Sequence, residues 1–216
     1  MLRLSLVIVL AANIALTVGC SRANAATQKD SSVFQPGPVA LKNGANTVEI
    51  LGDGSPAQVF VAWRGNYNAH GFSAATFYVR GKSDRSDSAE WNLVPFFGGP
   101  QDGVTGRNEF LTSEGADCTV GDIRVVQKSH AAVEIVIGKR DLAKSFVDSE
   151  PVHFDYYKLT RNTDDGVGRP PYFFQFTHSV AAKHNYCDVN VAFNKELSLG
   201  VAGIAQSDAS SYPEKH

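Results

Sequence analysis

The chain is poor in the residues that would make its chemistry obvious. It has three cysteines in 216 residues, too few for a disulfide-dense scaffold, and no pair of them stands at zinc-ligand spacing. No H-x-H or H-E-x-x-H occurs, so the common zinc-hydrolase signatures are missing. No serine is followed three places on by lysine, which removes the S-x-x-K of penicillin-recognising enzymes. Basic residues never run beyond the pair Lys139-Arg140, and the net charge is -2, which argues against nucleic acid as a partner. No metal or other cofactor is expected. Past residue 18 no apolar run approaches the roughly 18 to 20 residues of a spanning helix.

The first residues do carry such a pattern in a shorter form. Arg3 opens a stretch from Leu4 to Val18 that is almost wholly apolar, the h-region length of a secretory signal. Two cleavage points compete. Ala23-Asn24-Ala25 suits ordinary signal peptidase and predicts a signal over 1–25. Val18-Gly19-Cys20 is close to a lipoprotein box and predicts a signal over 1–19 with Cys20 lipidated, although Thr17 stands where that box has Leu. Ser21 to Pro38 is polar and rich in Ser, Ala, Pro and Gly, a tether composition, and a polar tether is expected over 26–43. A lipid anchor on Cys20 is then the sole expected link to a membrane. The expected compartment is the periplasm or cell envelope.

Either route leaves Cys118 and Cys187. In an oxidising compartment a lone pair is expected to bond. They stand 69 positions apart, and closing such a loop stabilises by roughly 4 kcal/mol in the chain-entropy model.

What remains, 44–216, reads as one β-rich domain, with an apolar fraction of 43% that can fill a core. Apolar residues alternate with a period of two and favour β-branched and aromatic types. Strands are predicted at Thr47–Leu51, Gln58–Trp63, Ser73–Arg80 and Glu90–Phe97, followed by a loop from Gly98 to about Asn108. Gln58–Trp63 is apolar on both faces and is expected at the centre of a sheet. Ile123–Gln127 and Val133–Ile137 form a hairpin across Lys128-Ser129-His130. Phe154–Thr160 and Tyr172–His178 are aromatic strands, and Cys187, Val189, Val191 and Phe193 share one face of a last strand. Asp141–Val147, with Asp141 as N-cap, is the single helix expected. About ten strands with frequent turns predict an all-β fold, an antiparallel β-sandwich or flattened barrel with one short helix.

Candidate sites are few. Gly71-Phe72-Ser73-Ala74-Ala75 approaches the nucleophile elbow, but Ala75 replaces its final glycine and a strand follows where a helix should. His178, His184 and Cys187 are close in sequence. The plainer reading is a solvent-facing histidine at a strand end and a cysteine used in the disulfide. Asp164-Asp165-Gly166 lacks the spaced acids of a calcium loop and reads as a turn. No catalytic residue is assigned.

The richest connection is Trp63 to Phe72. Arg64 offers a guanidinium, Tyr67 a phenol, His70 an imidazole and Trp63 a flat apolar wall, which suits recognition of a polar small molecule or a protein edge. The competing reading is a turn whose aromatics plug the core.

Gly44-x-Asn46-Thr47, a Val-Phe-Val strand, Asn68-Ala69-His70, Thr76-Phe77-Tyr78-Val79 and Trp91-x-Leu93-Val94-Pro95-Phe96 follow in order. Over Gly44–Phe97 this arrangement resembles the periplasmic carbapenem intrinsic-resistance proteins. The resemblance implies an all-β periplasmic protein that protects its host without hydrolysing the drug, and it transfers no catalytic residue. The expected function is therefore non-enzymatic binding or resistance in the envelope. Its partner is a small molecule or an envelope protein, with a homodimer also open. The alternatives are a secreted hydrolase using Ser73 or a His178-centred site, and an assembly partner in an envelope complex.

Overall fold

The structure, a computed structural model, describes residues 36–51, 56–66, 71–83, 86–114, 118–129, 132–142, 145, 147–163, 169–200 and 203–204. The expected signal, both expected cleavage points, Cys20 and the Asp164-Asp165-Gly166 turn lie outside them.

Period-two patterning has produced two stacked sheets. In chain order the strands are β1 (Gly37–Pro38), β2 (Gly44–Glu49), β3 (Pro56–Arg64), β4 (Phe72–Ser83), β5 (Ser86–Leu93), β6 (Phe96–Phe97), β7 (Phe110–Leu111), β8 (Ser113–Glu114), β9 (Thr119–Ser129), β10 (Ala132–Arg140), β11 (Glu150–Arg161) and β12 (Tyr172–Tyr186). The larger sheet runs β1-β9-β10-β11-β12-β6, with β8 also on β9; the smaller runs β2-β3-β4-β5, with β7 also on β4. Every pairing is antiparallel except β6 with β12. The sheets do not close, so the fold is a sandwich and not a barrel.

Alternation decides which side chains fill the space between the sheets. Val59, Val61, Ala75, Phe77 and Val79 come from the smaller sheet, and Ile123, Val125, Ile135, Ile137 and Tyr157 from the larger. At the centre Phe77 meets Phe96 and Phe174 edge-on at 5.6 and 5.1 Å, and Tyr157 meets Phe96 at 5.3 Å. The loop from Gly98 to Glu109 is pinned over this cluster by Asp102. Its buried carboxylate accepts from the Gly99 amide at 2.8 Å, the Tyr157 hydroxyl at 3.2 Å and Arg107 Nε at 3.2 Å.

Two expectations need correction. None of the described residues of Asp141–Val147 is helical, and the Asp141 amide donates to Pro151 O. The helix instead lies where a strand was expected, α1 (Val189–Leu197). Val189, Val191 and Phe193 fit a strand, but Val189, Ala192 and Phe193 fit a helical stripe equally well, and short apolar runs do not distinguish the two. Asp188 decides it, accepting from the Asn190 amide as N-cap at 2.7 Å. The helix buries Val189, Ala192 and Phe193 on Val126, Val136 and Phe154, on the larger sheet's outer face.

The end of the presumed tether is also part of the fold. Gly37–Pro38 pairs with Val126 and Gln127, and the Val39 amide donates to Val125 O at 2.8 Å. Asn46 then fastens the entry to β2, bonding Lys42 N, Lys42 O, Gly44 O and Val59 O. Cys118 and Cys187 are bonded, with their Cα atoms 5.7 Å apart. The chain leaving β12 is thus tied to the start of β9, and Arg140 Nη1 holds the same crossing by donating to Cys187 O at 3.0 Å.

Candidate functional site

The Trp63–Phe72 connection is the turn of the β3–β4 hairpin, since Trp63 pairs with Ser73 and Arg64 with Phe72. Tyr67 and His70 lie outside the described residues. Trp63 and Arg64 are neighbours in an extended strand, so they project to opposite faces. Trp63 lies on the inward side with Val59 and Val61, its ring against Gly71 so closely that a Cβ there would overlap it. Arg64 is on the outer face, its guanidinium 5.2 Å above the Phe72 ring. The structure therefore separates the flat wall from the cation.

Arg64 joins a different set of side chains. On β3 the outward residues are Gln58, Phe60, Ala62 and Arg64; on β4 they are Phe72, Ala74, Thr76, Tyr78 and Arg80. Tyr78 stands opposite Leu93, Arg80 opposite Trp91, and Ala74 opposite Leu111. Phe60 is 47% exposed, Trp91 48% and Leu111 43%, large values for apolar side chains on regular strands. Phe60 and Tyr78 meet edge-on at 5.8 Å. One face of the smaller sheet thus presents aromatics to solvent, with Arg64 and Arg80 beside them. Among the described residues nothing covers it as α1 covers part of the larger sheet.

Apolar residues on both faces of Gln58–Trp63 were the signal for this surface. β3 does lie inside its sheet, between β2 and β4. Its second apolar face, however, is open to water and not packed under another layer.

The other candidates are placed apart from this face. Ser73 is fully buried at the start of β4, its amide donating to Thr112 Oγ1 and its hydroxyl to Ile204 O. Buried there, it is closed to solvent, as the strand expected after it implies, and this disfavours the alternative of a hydrolase using Ser73. His178 stacks flat on Tyr156 at 4.5 Å and shares a hydrogen bond with Thr177. His184 pairs with Glu196 at 3.0 Å, and Glu196 also accepts from the Tyr186 hydroxyl at 2.7 Å. The Tyr186 and His184 bonds hold that carboxyl down at about 2, and bonding to Glu196 raises the Tyr186 phenol. Lys183, Asn185 and Lys195 complete a surface cleft of about 560 Å³ around them. Cys187 is in the disulfide, so the two histidines and Cys187 form no ligand set; among the described residues no cluster of three metal-binding side chains occurs.

Residues 41–195 match the family described as carbapenem resistance protein CarG-like, a longer span than the Gly44–Phe97 resemblance. No curated protein matches. The crystal structure of CarG superposes with a TM-score of 0.60 at 21% identity, covering 76% of this chain and 98% of that one. At that identity the likeness is one of fold.

Proposed function

Since the chain belongs to the CarG-like family of carbapenem resistance proteins, we propose that it protects by binding and not by drug hydrolysis, as an exported envelope protein whose outer sheet face docks a protein partner. The observation that carries this reading is the exposed aromatic face of the smaller sheet, with Phe60 and Trp91 each about half exposed. Burying what remains open on either ring would contribute roughly 2 kcal/mol to association. Arg64 and Arg80 supply the polar rim that accompanies such anchors. No described helix is long and apolar enough to cross a membrane, and the leader-like N-terminus supports export.

The test is a Phe60→Glu, Trp91→Ala double variant in cells challenged with a carbapenem. Both positions face solvent, so the melting temperature should hold while protection and partner capture fall by at least about tenfold. Protection retained at full expression would remove this face from the function. Carbapenem turnover by the pure protein would overturn the non-hydrolytic reading.

A further inference from the structure

A second feature lies on the inner face of the larger sheet, at the end where β10 finishes. Strand pairing sets Lys139 beside His153 and Ala181, and Ile137 beside Asp155 and Ser179. These residues share the face of Ile137, but here they reach the rim of the sandwich. Ser179 and Ala181 are exposed, and the His153 side chain is 45% exposed. The 98–109 loop borders the rim with Gln101, Asp102 and Arg107.

The charges on this rim are unevenly satisfied. Asp102 is held by three donors, Arg107 among them. Asp155 accepts from the Ser179 hydroxyl, and His153 faces Asp141 at 3.5 Å. The Lys139 side chain is half-buried, and among the described residues its ammonium bonds the amide oxygen of Gln101, a neutral acceptor. Among the described residues no carboxylate is in ion-pair contact with it. Asp155 and Asp102 attract it from farther off but do not touch it, and a partly desolvated cation with no anion in contact is costly, a cost that a bound anion would relieve.

We propose that Lys139 anchors a binding site for a small carboxylate-bearing molecule, with Gln101 at its border and Asp155 and Ser179 placed to meet a hydroxyl or amine on the same ligand. The chemistry favours a carboxylate because Arg107 is already paired with Asp102, which leaves Lys139 to meet a single negative charge, and its neighbours are hydrogen-bonding groups of both kinds. The site does not depend on the outer face of the smaller sheet, which is built from other strands.

The environment of Lys139 makes the binding pH-dependent. Burial, then repulsion by Arg107, lowers its ammonium to about 8 against the opposing pull of Asp155 and Asp102. Tyr157 and His153 on β11 are the other titratable groups on this face; β9 places Gly121 opposite Lys139, and β12 places the uncharged Ala181 opposite His153. An anion binds the charged form, so affinity is full below about 8 and falls as pH rises through it.

Calorimetric titration of the intact, disulfide-bonded protein with meropenem and with glutarate tests this. Binding of one or both should be about tenfold weaker at about pH 9 than at about pH 7, following the protonated fraction of the lysine. Lys139→Met should lose at least about tenfold at the lower pH and show no further fall, while Lys139→Arg should keep binding across the range. Gln101→Glu places an internal carboxylate on the ammonium and should abolish binding with the fold intact. No heat from either probe at about 10 mM, or equal affinity in wild type and Lys139→Met, would overturn the site. The Phe60→Glu, Trp91→Ala protein should bind the same probes normally, which keeps this result separate from the docking reading.

Discussion

Single side chains hold this fold at points where the chain would otherwise be free to leave it. Asn46, within the Gly44-x-Asn46-Thr47 motif, spends its amide on four backbone bonds, so that motif is a latch and not a recognition element. Arg124 and Asp122 form a buried pair at 3.1 Å beneath α1, with Arg124 4.2 Å above the Phe193 ring and bonded to Asn190 at 2.7 Å. Burial lowers the Arg124 guanidinium while Asp122 opposes the shift. Glu196 offers the clearest pH test. Its carboxyl is depressed to about 2 by Tyr186 and His184, so its contribution is present above the unfolded carboxylate value and is lost as pH falls through 2. Thermal melts taken from about pH 5 down to about pH 2 should show the helix end loosening. Glu196→Gln should flatten that part of the profile; an unchanged slope would show that the network does not stabilise the fold.

Among the elements, α1 depends most on what it packs against. Its docking requires Gly138 on β10, where a Cβ would come within 2.7 Å of Phe193 and Val189. The helix must approach the sheet this closely because Phe193 also packs at a tilt against Phe154, ring centres 5.2 Å apart. Gly138→Val should therefore destabilise by roughly 1–3 kcal/mol, read in chemical denaturation, through overpacking. A variant as stable as wild type would mean the helix can shift outward at little cost. The same helix shows where periodicity fails. Val191, which a strand would have turned inward with Val189 and Phe193, is 36% exposed. The choice between three- and two-residue spacing rested on the Asp188 cap and on a partner surface far away in sequence. Asp141 has an equally good capping side chain, but Leu142 and Val147 beside it stay exposed, and none of the described residues there is helical.

At the scale of the whole molecule, the Cys118–Cys187 bond joins the beginning of β9 to the chain leaving β12. Reduction should cost about 4 kcal/mol, or roughly 10 °C of melting temperature for a domain of this size. Alkylation of the denatured, unreduced protein should find neither thiol; two labelled thiols would remove the bond and weaken the case for export. Composition and alternation alone determined the all-β class, the positions of most strands, the β9–β10 hairpin and the pairing of the last two cysteines. These follow from local sterics, from side-chain direction along a strand and from counting. Which apolar face would be covered was decided only in the tertiary structure. Phe60 and Val59 are both apolar, yet Val59 meets the second sheet and Phe60 meets water. The same holds for the rim: Lys139 and Gln101 are 38 positions apart, and a neutral amide came to meet a half-buried lysine because the loop is pinned there by Asp102. Burial and charge balance depend on contacts between distant segments, and no period in the chain encodes them.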